Sequence, residues 1–285
     1  MILDDFDSRP GSATSILRTI IGSYLRRRGG WISIAEIIRL MDAVSVSSSH
    51  ARTAVLRVKN KGLVFPEVVD GQSGYRLNPE AVPMLERGDR RIFTLRQQKN
   101  GDSWCLVSFS VPETERSARH QLRKRLAWIG CGTVATGLWI CPALLTDEVE
   151  EILEDLGLRN AATIFITDTP QTAGPLAESV ARWWDLDEIA ELHHKFIDAF
   201  DSWGHESDHR RAFANYLTVL DRWRIIPYVD PGLQPSVLPP DWPGFRSVAL
   251  FDRLKWELGT EADLFVNGES RRSQRFTRLP TSPQQ

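Results

Sequence analysis

Cysteine is scarce in this 285-residue chain: Cys105, Cys131 and Cys141 are all it has. Three thiols cannot all pair, and none stands in C-x-x-C spacing, so neither a disulfide framework nor a zinc knuckle is indicated. The three are expected to be buried. Long apolar runs are absent too: no stretch reaches the roughly 18 consecutive apolar residues of a membrane span. The N-terminus, MILDDFDSRPGS, is acidic where a signal peptide would be basic and then apolar. The expectation is a cytoplasmic protein without membrane contact. An excess of one charge is also missing, with 35 Lys/Arg against 37 Asp/Glu. With 42% hydrophobic and 25% charged residues and a mean hydropathy of −0.27, the composition excludes disordered, collagen-like and coiled-coil chains. At roughly 100–200 residues per domain, the length predicts two or three domains.

The near-neutral total hides an asymmetry. Residues 1–92 hold 14 Lys/Arg against 10 Asp/Glu, and the remainder 21 against 27. A basic first quarter on an acidic remainder points to a nucleic-acid-facing module attached to something else. Ten tryptophans are present, only Trp31 among them within the first hundred residues. Their amphipathic rings serve cores, interfaces and aromatic ligand pockets alike.

In residues 1–92, Ser12 or Thr14 can cap a helix with Ile16, Leu17, Ile20, Ile21, Tyr24 and Leu25 at three- and four-residue spacing, stopped by Gly29-Gly30. Ser33 caps a second helix, and a third begins at Ser47. In the third, Ala51, Ala54, Val55 and Val58 form a narrow apolar stripe, with Ser48, Ser49, Arg52, Thr53, Arg57 and Lys59 opposite. Leu63–Val69 and Tyr75–Leu77, joined across Asp70–Gly74, read as a hairpin. Three short helices and a hairpin form a winged helix-turn-helix, whose last helix enters the major groove, where base edges carry a distinguishable code. Ser47, Ser48 and Ser49 allow close approach. Arg52 is the base-reading candidate, since a guanidinium can bond two acceptors on guanine, while Arg57, Lys59 and Lys61 neutralise phosphates. A solvated face or a protein-interaction module would show the same residue types. His50 is taken as a bystander.

Val46-Ser47-x-x-x-Ala51-Arg52-Thr53-Ala54-Val55-x-Arg57-Val58, with Lys61-Gly62-Leu63 and Tyr75-Arg76-Leu77, resembles the N-terminal domain of PaaX-type regulators, the repressors of phenylacetic acid degradation. Members often carry several cations at the wing tip. Here the tip is Asp70-Gly71-Gln72-Ser73-Gly74, with no cation for a phosphate.

After a linker containing Arg90, Arg91, Arg96 and Lys99, residues 93–172 read as strand, basic helix, two strands, helix and strand. This β-α-β-β-α-β order is that of a ferredoxin-like domain. Leu126-x-Trp128-x-Gly130-x-Gly132 and Gly137-x-Trp139-Ile140-x-Pro142 are similar to the same family. The resemblance implies a relation to the small ferredoxin-like nuclease of CRISPR adaptation and a dimerisation role. A nuclease would need an acid at the end of the first strand, and Ser108–Val111 offers none. Gly130-x-Gly132 lacks the third glycine of a dinucleotide fingerprint. Arg116, Arg119, Arg123, Lys124 and Arg125 could touch DNA flanks or simply form a solvated face.

Residues 173–266 read as a mainly helical domain, and 267–285 as a disordered tail. Trp184-Asp185-Leu186-Asp187-Glu188-Ile189-Ala190 and Leu238-Pro239-Pro240-Asp241-Trp242-Pro243-Gly244 resemble the C-terminal domain of the family. Where members often show His-Glu before Trp223, this chain has Asp221-Arg222. His205-Glu206-Ser207-Asp208-His209 satisfies H-E-x-x-H, whose two histidines bind zinc when they stand one helical turn apart. It follows Trp203-Gly204, between helices, so a chance match is expected. His193 and His194, on a mostly solvated helix, are read as surface residues.

The fold class expected is therefore α+β and multidomain. The family resemblance implies a homodimeric repressor, not an enzyme, that reads an inverted repeat in double-stranded DNA. It also implies release by an aromatic acyl-CoA such as phenylacetyl-CoA. Arg182, Trp183, Trp184, Trp203, Trp223, Arg222, Arg224 and Trp242 could hold such an effector, or the tryptophans could be structural core. No cofactor or metal is expected. The rival class is an enzyme, a metal-dependent hydrolase at His205 and His209 or a nucleic-acid-processing ferredoxin-like domain.

Overall fold

The computed structural model describes residues 9–94 and 96–268. The tail expected over 267–285 lies, from residue 269 onward, outside the described residues. The elements are α1 (Ala13–Ile20), β1 (Trp31–Ser33), α2 (Ile34–Ala43), α3 (Ser48–Asn60), β2 (Val64–Val69), β3 (Gln72–Leu77), α4 (Val82–Phe93) and β4 (Trp104–Phe109), then α5 (Arg116–Trp128), β5 (Gly132–Ala135), β6 (Leu138–Pro142), α6 (Thr146–Asp155) and β7 (Ala162–Thr167), and finally α7 (Leu176–Trp183), α8 (Leu186–Phe200), α9 (His209–Trp223), α10 (Ile226–Val229) and α11 (Gly244–Gly268). The chain is thus mixed α and β, with two small antiparallel sheets.

Packing divides it into two compact units. One takes the chain up to Gly88, Ala199–Trp223 and the chain from Ala249; the other takes Asp89–Asp198 and Arg224–Val248. The segment 173–266, read as one consecutive module, supplies helices to both, because its apolar stripes find their cores in different places.

In the first unit, Ser12 starts α1 by accepting a hydrogen bond from the Ser15 amide at 3.2 Å. The helix continues through a π-helical turn, Ile21–Leu25, and a 3-10 turn, Arg26–Arg28, and stops at Gly29, whose φ is +79°. Strand β1 was not expected. It pairs antiparallel with β3, giving a sheet of order β1-β3-β2. Gly74 makes this pairing possible: a Cβ there would stand 2.5 Å from the Ile32 carbonyl oxygen and the Trp31 ring. The β2–β3 turn uses left-handed Asp70 (φ +51°) and Gly71 (φ +73°), the backbone a two-residue I′ hairpin requires. Helix α1 packs on α3 and α9, and the buried Asp221 of α9 accepts hydrogen bonds from Ser15 Oγ (2.5 Å), Thr19 Oγ1 (3.0 Å) and the Gly11 amide (2.6 Å).

In the second unit the observed order β4-α5-β5-β6-α6-β7 forms a sheet arranged β5-β6-β4-β7. Side chains alternate between the two faces of a strand, and here both faces are covered. Cys105, Val107 and Phe109 meet Leu122 and Leu126 of α5 and Val149 and Leu153 of α6. Trp104 and Ile140 face the other way, toward Val180, Trp184, Ile189, Leu233 and Trp242. Double coverage explains why β4 is apolar at every position but Ser108.

All three cysteines are buried free thiols, with Cys105 and Cys141 directly opposed across β4 and β6. The hydrogen bond to Cys141, reinforced by burial, pushes the Cys105 thiol far above its usual range. At Cys141 the bond from Cys105 favours the thiolate, but the bond to Cys131 and burial outweigh it, and its pKa is also raised.

The stretch read as a linker includes the last turn of α4. Arg91 is buried there, paired with Glu148 at 2.8 Å and donating to the carbonyls of Ile129 and Pro227.

Candidate nucleic-acid interface

Helix α2 ends in a left-handed turn. Ser45 has φ +61°, its amide donates to the Asp42 carbonyl, and the Val46 amide reaches back to Met41, the arrangement of a Schellman stop. Two residues later Ser47, in extended conformation, caps α3 by accepting from the His50 amide. This turn fixes where α3 begins and which side it turns outward.

Ala51, Ala54, Val55 and Val58 are buried as their spacing predicts. Ser47, Ser48, Ser49, Arg52, Thr53, Arg57, Lys59 and Lys61 are all exposed. No acidic residue occurs between Ser48 and Lys61, and Arg52, Arg57 and Lys59 have no ion-pair partner among the described residues. Thr53 donates to the Ser49 carbonyl at 3.1 Å. His50 is exposed on the first turn. On β2, Phe65 and Val68 are exposed as well.

The residues grouped by sequence for an effector are placed differently. Trp184 and Trp242 are buried in the second unit's core beside Trp104, with Trp183 packed on its margin. Trp184 has a specific seat: its Nε1 donates to the Gly130 carbonyl at 2.8 Å, and a Cβ on Gly132 would stand 2.6 Å from its ring. The Gly130-x-Gly132 motif is thus a landing for an indole. Trp223 belongs to the first unit, stacked on Phe251 at 4.5 Å, and Trp203 is edge-on to Phe200. Arg224 is buried in the second unit; Arg182 is exposed on α7, bonded to Ser179 Oγ at 2.7 Å, and Arg222 is exposed on α9. Of the set, Arg182, Trp183, Trp203 and Arg222 retain solvent access.

His205 lies in non-helical chain, while His209 is the first residue of α9 and contacts Glu261 at 2.6 Å through Nδ1. Asp208 caps α9 by accepting from the Arg211 amide. The two histidines do not stand one helical turn apart, so the geometry that H-E-x-x-H needs is not formed.

His193 corrects the surface reading. It is buried, with Nδ1 2.5 Å from Ser247 Oγ, Nε2 2.9 Å from Asp230 Oδ2, and its ring edge-on to Trp242. Ile189, His193, Phe196, Ile197 and Phe200 share one stripe of α8, a spacing that sequence alone could have revealed. The constellation resembles a hydrolase triad, yet Ser247 is fully buried and also donates to the Gly244 carbonyl. It is a pin joining α8, the 230 loop and the start of α11.

Two short antiparallel sheets and a helix with an exposed basic face make this a mixed α and β chain of two compact units, and three comparisons specify its family. The PaaX-like protein family model matches residues 12–81, the PaaX protein central Cas2-like domain residues 97–179, and the PaaX-like protein C-terminal domain residues 184–268. The chain belongs to the PaaX family. It is 24% identical over 267 residues to the transcriptional repressor PaaX of Escherichia coli K12, covering 90% of this chain and 84% of that one. Among solved structures, an uncharacterized Mycobacterium tuberculosis protein, Rv0674, matches with a TM-score of 0.57 at 20% identity over 88% of this chain and 97% of that one, a likeness of fold alone.

Proposed function

We propose that this protein is a DNA-binding transcriptional repressor whose winged helix-turn-helix, α1–α3 with the β2–β3 hairpin, reads an operator through α3. The observation that carries this reading is the face of α3: all eight candidate residues exposed, no acid among them, on a helix capped by serine. A helix of that size enters the major groove, and exposed cations gain affinity by releasing counterions from phosphates. The curated relative's name, a transcriptional repressor, supports it. Arg52 is the base reader, Ser47–Ser49 and Thr53 line the approach, and Arg57, Lys59 and Lys61 meet the backbone.

The second unit's sheet is a ferredoxin-like domain in this reading, and it pairs two copies so that two α3 helices meet an inverted repeat. An aromatic acyl-CoA is the proposed effector, and its search begins at Arg182 and Trp183, adjacent on α7 and open to solvent. A tenfold loss of operator affinity on effector binding needs about 1.4 kcal/mol of coupling.

The test is binding to a duplex selected by the protein from random sequence. Arg52→Ala is expected to erase the preference for that duplex over random DNA, a loss of about 1–3 kcal/mol of discrimination. Lys59→Ala is expected to weaken both equally and to lower the salt slope by about 0.9. Equal effects of the two substitutions on selected and random DNA would overturn these roles.

A further inference from the structure

Helix α5 carries five Lys/Arg and a histidine over thirteen residues and no Asp or Glu. A helix face selected only for solvation mixes signs, because opposite charges at i,i+4 stabilise it by a few tenths of a kcal/mol and like charges cost as much. Here Arg116–Arg119 and Arg119–Arg123 are like-charged neighbours at i,i+3 and i,i+4. Helix α6 of the same unit has the opposite composition, with Asp147, Glu148, Glu150, Glu151, Glu154 and Asp155 and no base.

Part of the charge on α5 is used by the fold. Arg119 pairs with Glu113 at 2.6 Å, Arg125 is buried against Asp155 at 3.5 Å, and Lys124 has a partner as well. Arg116, His120 and Arg123 remain. They are exposed, have no ion-pair partner among the described residues, and stand at i, i+4 and i+7 along one ridge. At 1.5 Å per residue the ridge is about 10 Å long. A single phosphate on a small effector is held by donors converging on one point, whereas cations spread along a ridge suit a charged strand, and duplex DNA offers one phosphate per about 1.7 Å of axis.

We propose that Arg116, His120 and Arg123 form a second DNA-contacting surface, taking phosphates that flank the base pairs read by α3. The proposal rests on the DNA-binding reading above, and it assigns these residues affinity without sequence preference.

The experiment measures binding of the full-length protein against salt on two duplexes: the selected site alone, and the same site extended by about 10 base pairs, one helical turn, on each side. Wild type is expected to bind the extended duplex more tightly. Arg116→Ala combined with Arg123→Ala is expected to lower the slope of log K against log salt on the extended duplex by about 1.8, at about 0.9 per phosphate contact. Affinity for the short duplex and the preference over random DNA should stay within about twofold. Arg123→Glu should weaken extended-duplex binding further while Tm does not fall, because the new acid sits four residues from Arg119. An unchanged slope on the extended duplex in the double variant overturns the proposal, including the case in which the ridge serves an acidic protein. If Arg52→Ala still erases sequence preference, the reading of α3 survives that failure; if wild type binds no duplex at all, both fall.

Discussion

Replacing Gly132 by alanine tests whether the glycines of the Gly130-x-Gly132 motif exist to seat Trp184. The backbone at Gly132 does not have positive φ, so alanine is conformationally allowed and by itself would stabilise by about 0.4–1 kcal/mol through the unfolded chain. Against this, the added methyl stands 2.6 Å from the indole and must displace it, at about 1–3 kcal/mol for overpacking. Displacement also breaks the bond from Nε1 to the Gly130 carbonyl, leaving buried polar groups unpaired at about 1–3 kcal/mol. The net expectation is a loss of about 1–6 kcal/mol. Trp184→Ala alone should cost about 3–5 kcal/mol as a large-to-small core substitution. In the double variant the methyl enters space the indole has left, so Gly132→Ala should then cost almost nothing. Urea unfolding followed by far-UV circular dichroism supplies the four free energies of the cycle. If the two substitutions add within about 0.5 kcal/mol, the limit for independent sites, the glycine is not there for the tryptophan.

Asp221→Ala removes one buried acceptor shared by at least three donors, Gly11, Ser15 and Thr19, across 202 to 210 residues of sequence; a loss of about 3 kcal/mol is expected in denaturant unfolding, and a change below about 0.5 kcal/mol would refute the role. The thiols predict a pH dependence whose sign is fixed. Unfolded cysteines ionise near pH 8.5, whereas Cys105 and Cys141 keep their protons when folded. The unfolded state therefore binds fewer protons above that pH, and stability falls by up to about 1.4 kcal/mol per pH unit for each thiol. The stability gap between wild type and a Cys105→Ala, Cys141→Ala double variant should accordingly shift against wild type between pH 8 and 10, and a constant gap would contradict the burial argument. EDTA, like His205→Ala, should leave Tm and DNA affinity unchanged, since His205 and His209 share no helical face; a fall in either would revive a metal role.

Local signals were the legible ones. Ser47 as a cap, the stripe Ala51–Ala54–Val55–Val58, a hairpin turn beginning at Asp70 and the order of strands and helices from Trp104 to Thr167 all follow from short-range pattern, and all are present, although the turn is two residues, not five, and Gln72–Gly74 belong to β3. What escaped depends on distant partners. Strand β1 is three residues long and exists because β3 lies beside it with a glycine at position 74. His193 sits on an apolar stripe, but a polar ring alone reads as exposed; Asp230 and Ser247, 37 and 54 residues away, satisfy its two nitrogens and allow its burial. The tryptophans were grouped by their nearness in sequence, while packing sent Trp223 to one core and Trp184 and Trp242 to another.

The two-sided coverage of the second sheet bears on how this protein can be dissected. A chain cut near residue 172, where the sequence pauses at Gly174-Pro175, would keep all four strands yet lose Val180, Trp184, Leu233 and Trp242 from above Trp104 and Ile140. Such a fragment would present a wet indole and a bare aliphatic floor, an invitation to self-association, and a dimer found with it would report the cut surface rather than the native assembly.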